Sequence, residues 1–183
     1  KMQQFYTDTK DFQAKFKQVY SDVAAGDKKE SYGKVFFKRK GKMRWDYYEA
    51  SKKTKKQELK KLLISDGNVF WVYEPQFQQV FKECLQNSKL PTSLRFLMGQ
   101  GNLLKDFNAS LSKKSTDKLP VLTLVPKKPT SKYKQLEFVI DAKTYQVLRT
   151  TIYDPYGNTN EITFDKMLLN KNLPDRGFSF KPP

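Results

Sequence analysis

From Asp11 onward the chain reads with a period of two. Phe12, Ala14 and Phe16 alternate with Gln13, Lys15 and Lys17, the pattern of a half-buried strand running to about Val23. The same signal returns along the chain, in "SYGKVFFKRK" (31–40), "MRWDYYE" (43–49), Asn68–Tyr73, into which "KLLISDG" (61–67) leads through a turn, "QFQQVFKEC" (76–84), and then at about 107–113, 119–125, 134–140, 145–153 and 158–166. Turn chemistry punctuates it. Asp66-Gly67 is a tight-turn signal, and Asp154-Pro155-Tyr156-Gly157-Asn158 separates the last two of these segments. About eleven strands joined mostly by short turns predict one antiparallel sheet that curls into a barrel or half-barrel. With no internal repeat and no Gly/Ser-rich linker, residues 1–183 are expected to form one domain. The tail "GFSFKPP" reads as a further short strand with Phe178 and Phe180 on one face.

Helices are few. Met2, Phe5 and Tyr6 stand near helical spacing at 2–8. Pro91-Thr92-Ser93 can start a helix and Gly99 can end one. Leu94, Leu97 and Met98 then share a face at i, i+3 and i+4, which predicts a short apolar helix at 92–98, with a further helical turn at 102–106.

The charge balance restricts the partners and the chemistry. Lys+Arg number 35 against 19 Asp+Glu, a formal charge of +16, yet 14% of the chain is aromatic, too much for a disordered polycation. Such a charge suits nucleic acid, an anionic membrane surface or acidic partners, or serves solubility alone. With no His, the commonest general base and metal ligand is missing. Cys84 is the one cysteine, so neither an intramolecular disulfide nor a thiolate zinc cluster can form. No spacing of Asp, Glu, Lys or Tyr singles out a catalytic set, and neither a metal nor a cofactor is expected. No apolar run approaches the ~20 residues of a membrane helix. The chain opens at Lys1 without an apolar leader, as a processed mature form or a trimmed one would. Ala50–Leu63, with six Lys, reads as a solvated hairpin tip or a short surface helix.

A sheet of about eleven strands is too wide for its side chains to fill the space it encloses. Its inner face is expected to carry Phe12, Phe16, Val35 and Phe37 or else Phe36, Trp45, the Trp71 set and Phe138. Strand 68–73 is apolar on both sides: Val69, Trp71 and Tyr73 fall on one face and Phe70 and Val72 on the other. Alternation alone does not say which face looks inward. Aromatic stripes on strands are as a rule packed core. Two short greasy helices across a wide concavity also suit an apolar ligand.

Several segments together resemble one family. "GKVFFKRKGKMRW" (33–45), "SDGNVFWVYEPQFQQV" (65–80), "LPTSLRFLMG" (90–99), "LVPKKP" (124–129), "DPYGNTNEITF" (154–164) and "FSFKPP" (178–183) are collinear and span nearly the whole chain. In that order they are similar to LolA, the periplasmic outer-membrane lipoprotein carrier of Gram-negative bacteria. The resemblance implies an unclosed β-barrel with a helical lid, and a hydrophobic cavity for lipoprotein acyl chains. It implies a monomeric periplasmic carrier that does no covalent chemistry. Such a carrier takes cargo from an inner-membrane ABC-type releasing complex and passes it to an outer-membrane receptor or the outer membrane itself.

By position, the resemblance also implies that Arg39 hydrogen-bonds the lid backbone and holds the empty cavity closed. Met43, Leu94, Leu97 and Met98 join Phe12, Phe16, Phe37, Trp45 and Trp71 as the expected acyl-chain lining. Lys40 stands where the family usually has proline, so the loop after Arg39 is expected to be freer. The hairpin from Trp45 to Ser65 is longer and more basic than usual, and the chain ends without the extra C-terminal segment that some members carry. Two rival readings remain from the sequence. One is a lipid- or lipoprotein-sensing domain on the same fold. The other is a nucleic-acid binder, for which the charge speaks but no module motif does.

Overall fold

The computed structural model describes residues 1–50, 57–87, 96–97 and 102–183. Eleven strands form one antiparallel sheet, built from β1 (Asp11–Asp22), β2 (Asp27–Lys38), β3 (Lys42–Ala50), β4 (Gln57–Asp66), β5 (Val69–Glu74), β6 (Gln79–Cys84), β7 (Phe107–Leu111), β8 (Val121–Pro126), β9 (Gln135–Ile140), β10 (Val147–Tyr153) and β11 (Thr159–Leu169). Their order is β6-β5-β4-β3-β2-β1-β11-β10-β9-β8-β7. Every consecutive pair of strands is a neighbour except β6 and β7, which become the two edges, while β1 and β11 join the halves. The sheet is therefore unclosed. Strands twist against their neighbours by roughly 20–25°, so a sheet this wide must coil, and it encloses a concave face. Among the described residues two short helices accompany it, α1 (Met2–Asp8) and α2 (Leu103–Asp106), and Phe96 and Leu97 are also helical.

Alternation sets the faces. Phe12, Ala14 and Phe16 of β1 lie opposite Phe37, Val35 and Gly33 of β2, and Val35 and Phe37 lie opposite Trp45 and Met43 of β3. All of these but Gly33 are buried in one aromatic-rich core, joined from the other half by Leu124, Leu136, Phe138, Val147, Ile162 and Phe164. Gly33 is required where it stands. A Cβ there would meet the Asp46 carbonyl oxygen at 2.0 Å and the Phe16 ring at 2.6 Å, so the missing side chain lets the strands bend sharply and the ring lie across them.

The turns follow their sequences. The Asp66 carboxylate accepts from Asn68 N (2.8 Å) and Val69 N (2.9 Å). Asp154 Oδ1 accepts from Tyr156 N (2.9 Å) and Asn158 N (2.8 Å). Between β2 and β3, Lys40 takes φ 66° and Gly41 φ 76°. Proline, locked near −65°, cannot adopt that conformation, so this turn requires a residue other than proline at position 40.

Two expectations are corrected. Residues 178–183 form no strand; a 3-10 turn at Asp175–Phe178 packs on β3 and β4 and leads into an irregular tail whose Phe180 lies on β5. The Lys-rich stretch, where described, belongs to the sheet: β4 already begins at Gln57, while Ser51–Lys56 lie outside the described residues.

Candidate functional site

Strand β5 is sandwiched. Phe70 is buried in the concave core, and Val72 packs against it. Trp71 and Tyr73 project to the convex side, where the Phe180 ring lies 5.7 Å from Trp71 and 5.5 Å from Tyr73. Lys82 Nζ sits 4.9 Å above the Trp71 ring. The C-terminal tail thus covers the outer apolar face, pinned by Asp175 between Lys38 Nζ (2.6 Å) and Lys42 Nζ (2.8 Å). These two ammonium groups pull the Asp175 carboxyl down to about 2.

Of the residues expected to line a cavity, Phe12, Phe16, Phe37, Met43, Trp45 and Leu97 are brought together in the concave core, each buried. Trp71 is not; it is a convex-face residue beneath the tail. Leu94 and Met98 lie outside the described residues. Within the core, ring centroids are 4.7 Å apart for Phe12–Phe37, 4.8 Å for Phe16–Trp45 and 5.7 Å for Phe37–Trp45. Such spacings are those of favourable aromatic pairs. Trp45 is wholly buried, and its Nε1–H has no acceptor among the described residues, an uncommon state for an indole.

Helix α1 closes one end of this core. Tyr6 drops from it between Phe12 (6.2 Å) and Phe96 (5.0 Å), and Phe96 stacks on Phe138 (5.8 Å). The Tyr6 hydroxyl accepts a hydrogen bond from Val147 N at 2.9 Å. Burial pushes its phenol well up, against the smaller opposite pull of that N–H. Sequence pattern alone does not single out Tyr6, although the Phe5-Tyr6 pair on a short helix is its visible signal. Gln3 Oε1 accepts from Leu103 N (3.2 Å), tying α1 to α2.

Arg39 grips the C-terminal end of α1. Its Nε donates to the Thr9 carbonyl at 3.1 Å and its Nη2 to the Thr7 carbonyl, while Arg39 N donates to the Lys10 carbonyl at 3.0 Å. The last carbonyls of a helix lack intrahelical donors, and a guanidinium offers a fixed fork of them. Arg39 is thereby a bracket across the end of the helix that plugs the core.

At the other end of the concave face a polar belt crosses the sheet. Tyr47 Oη donates to Gln18 Oε1 (2.9 Å), and Gln18 Nε2 donates to Asn160 Oδ1 (2.8 Å). Burial pushes the Tyr47 phenol well up. No His/Cys/Asp/Glu group able to hold a metal occurs among the described residues.

A family model described as outer membrane lipoprotein carrier protein LolA matches residues 7–181. The chain belongs to the LolA family. LolA-family relatives include the outer-membrane lipoprotein carrier protein of Legionella pneumophila (strain Corby), 27% identical over 154 residues, which are 84% of this chain and 70% of the relative. The carrier protein of Chromobacterium violaceum is 26% identical over 180 residues, 98% of this chain and 81% of the relative. Among solved structures, an uncharacterized conserved protein from Thermus thermophilus superposes with a TM-score of 0.60 at 10% identity, over 99% of this chain and 92% of that one, a likeness of fold. The unclosed sheet with its short helices is the LolA architecture.

Proposed function

We propose that this protein is a periplasmic carrier that shelters the acyl chains of lipoproteins in its concave face and does no covalent chemistry. It takes them from an inner-membrane ABC-type releasing complex and gives them up to an outer-membrane receptor or to the outer membrane. The observation that carries the reading is the pairing of the Tyr6 plug with the Arg39 bracket: the apolar interior is filled by a helix held at its end by hydrogen bonds that can be exchanged for water. Family membership and the names of the relatives support it.

The energetics suit a carrier. Each CH₂ buried is worth about 0.8 kcal/mol, so a few chains bind tightly in an open concavity. Admitting them requires α1 to lift Tyr6 out of the core and Phe96, which packs against Tyr6, to give way. The hydrogen bonds from Arg39, each ~1.5–3 kcal/mol for a charged donor and less at an exposed site, reform when cargo leaves. Closure thus offsets part of the acyl burial and makes release possible.

The test is Arg39→Leu. The variant is expected to take up a triacylated lipoprotein and to release it poorly to acceptor membranes. Normal hand-off by Arg39→Leu would overturn the mechanism.

A further inference from the structure

Beyond the plugged core, the concave face opens again. A cavity of about 510 Å³ lies between β1, β2, β4 and the β5–β6 turn. That is within the ~300–1,000 Å³ of small-molecule sites. Its floor is Tyr47, Leu63 and Ser31, and its mouth is flanked by Tyr20 and Phe77, which are 39% and 61% exposed. Gln18, on its wall, is six residues along β1 from Phe12, about 20 Å of extended chain from the plugged end. This bay is present while Tyr6 and Arg39 are in place, so it does not depend on α1 moving.

The rim is basic. Lys29, Lys60 and Lys61 line it with one carboxylate, Glu74. Lys61 is paired with Glu74 (3.0 Å) and Lys60 with Glu49 (3.1 Å), whereas Lys29 has no carboxylate partner among the described residues. The floor leads inward: the Tyr47 ring lies 4.9 Å from Phe16 and 6.4 Å from Trp45, and the Tyr47–Gln18 hydrogen bond is the barrier between bay and core.

We propose that the bay is a second lipid site, open in the resting protein, which takes one acyl chain ending in an anionic group. The tail lies on Leu63, Tyr47 and Ser31, and the carboxylate or phosphate stays at the rim beside Lys29. A chain here competes for neither Arg39 nor α1. It places a methyl end against the Tyr47–Gln18 belt, from which the core is reached by breaking one hydrogen bond. A free fatty acid or a single-chain phospholipid meets these requirements without any protein cargo, so the site stands apart from the carrier reading.

The experiment uses the full chain with Trp71→Phe, which leaves Trp45 as the one indole reporter just beyond the belt. Titration with palmitate is expected to change Trp45 emission with one-to-one stoichiometry. Ser31→Phe, which fills the bay, should weaken palmitate about tenfold or more. Lys29→Glu, an exposed change that leaves the core alone, should weaken palmitate several-fold while leaving hexadecanol unchanged. Lysophosphatidylglycerol binding as palmitate does would make the rim a general anion seat; palmitate alone binding would make it a carboxylate seat. Palmitate binding indifferent to both Ser31→Phe and Lys29→Glu, or appearing only once Arg39→Leu frees α1, would overturn the proposal. Failure to capture lipoprotein would leave these results untouched and count against the carrier reading alone.

Discussion

Arg39 Nε donates to the Thr9 carbonyl at 3.1 Å, so a side chain from the β2–β3 turn holds the end of the helix that plugs the core. If that bracket governs opening, Arg39→Leu should speed hydrogen exchange across Met2–Asp8 while β1 and β11 keep wild-type protection. Uniformly faster exchange would instead mean that Arg39 supports the whole fold, and unchanged α1 exchange would mean that it holds nothing.

Tyr6→Phe keeps the ring but removes the acceptor for the buried Val147 N–H. An unsatisfied buried donor costs roughly 1–3 kcal/mol. Thermal unfolding should therefore shift down measurably, and cargo uptake should become easier because the plugged state is weakened. A variant as stable as the parent would show that the 2.9 Å contact contributes little.

Both faces of β5 are visible in "VFWVYE", but their assignment is not, because each face is apolar. The covering of the outer face is a tertiary fact, set by Phe180 from more than a hundred residues away. The tail itself is misread from its pattern: Phe178 and Phe180 alternate as a strand would, yet the Asp175–Phe178 turn breaks pairing and the alternation only places rings along an extended chain. The sheet is legible from alternation at Phe12, Ala14 and Phe16 and from turn residues such as Asp66-Gly67. Residues whose role comes from polar pairing across strands, Gln18, Tyr47 and Asn160, carry no local signal. Tyr6 looks like any aromatic on a short helix, and only its neighbours make it a plug.

Gly33→Val should be among the most damaging single changes in the sheet. The added carbons would overlap the Asp46 carbonyl and the Phe16 ring, and both are fixed by the sheet. Overpacking of this kind costs about 1–3 kcal/mol or more. Chemical denaturation should show a lowered midpoint, and Gly33→Ala should show the same effect more weakly. A neutral Gly33→Val would mean that the strands part there without penalty.

The tail anchor sets an acid limit. The Asp175 carboxyl titrates at about 2 in the folded protein, below its ordinary 3.8, because Lys38 and Lys42 hold the charged form. Its contribution is present above the ordinary value and is lost as pH falls from about 4 through about 2. Proteolysis of the tail, or exchange at Phe178, should rise over that window in the parent. Asp175→Asn should show raised tail exchange already at neutral pH and no further acid step of this origin. An acid step surviving in Asp175→Asn would assign it to another carboxylate.

Whether the concave face carries the acyl chains of lipoproteins is tested most directly by native mass spectrometry of this protein, recovered from periplasm in which a triacylated lipoprotein is co-expressed. A carrier should appear as a one-to-one complex that disappears when the cargo's lipidated cysteine is changed to serine. Recovery of the protein bare or with free lipid only, or a complex that persists with non-acylated cargo, would contradict the carrier role.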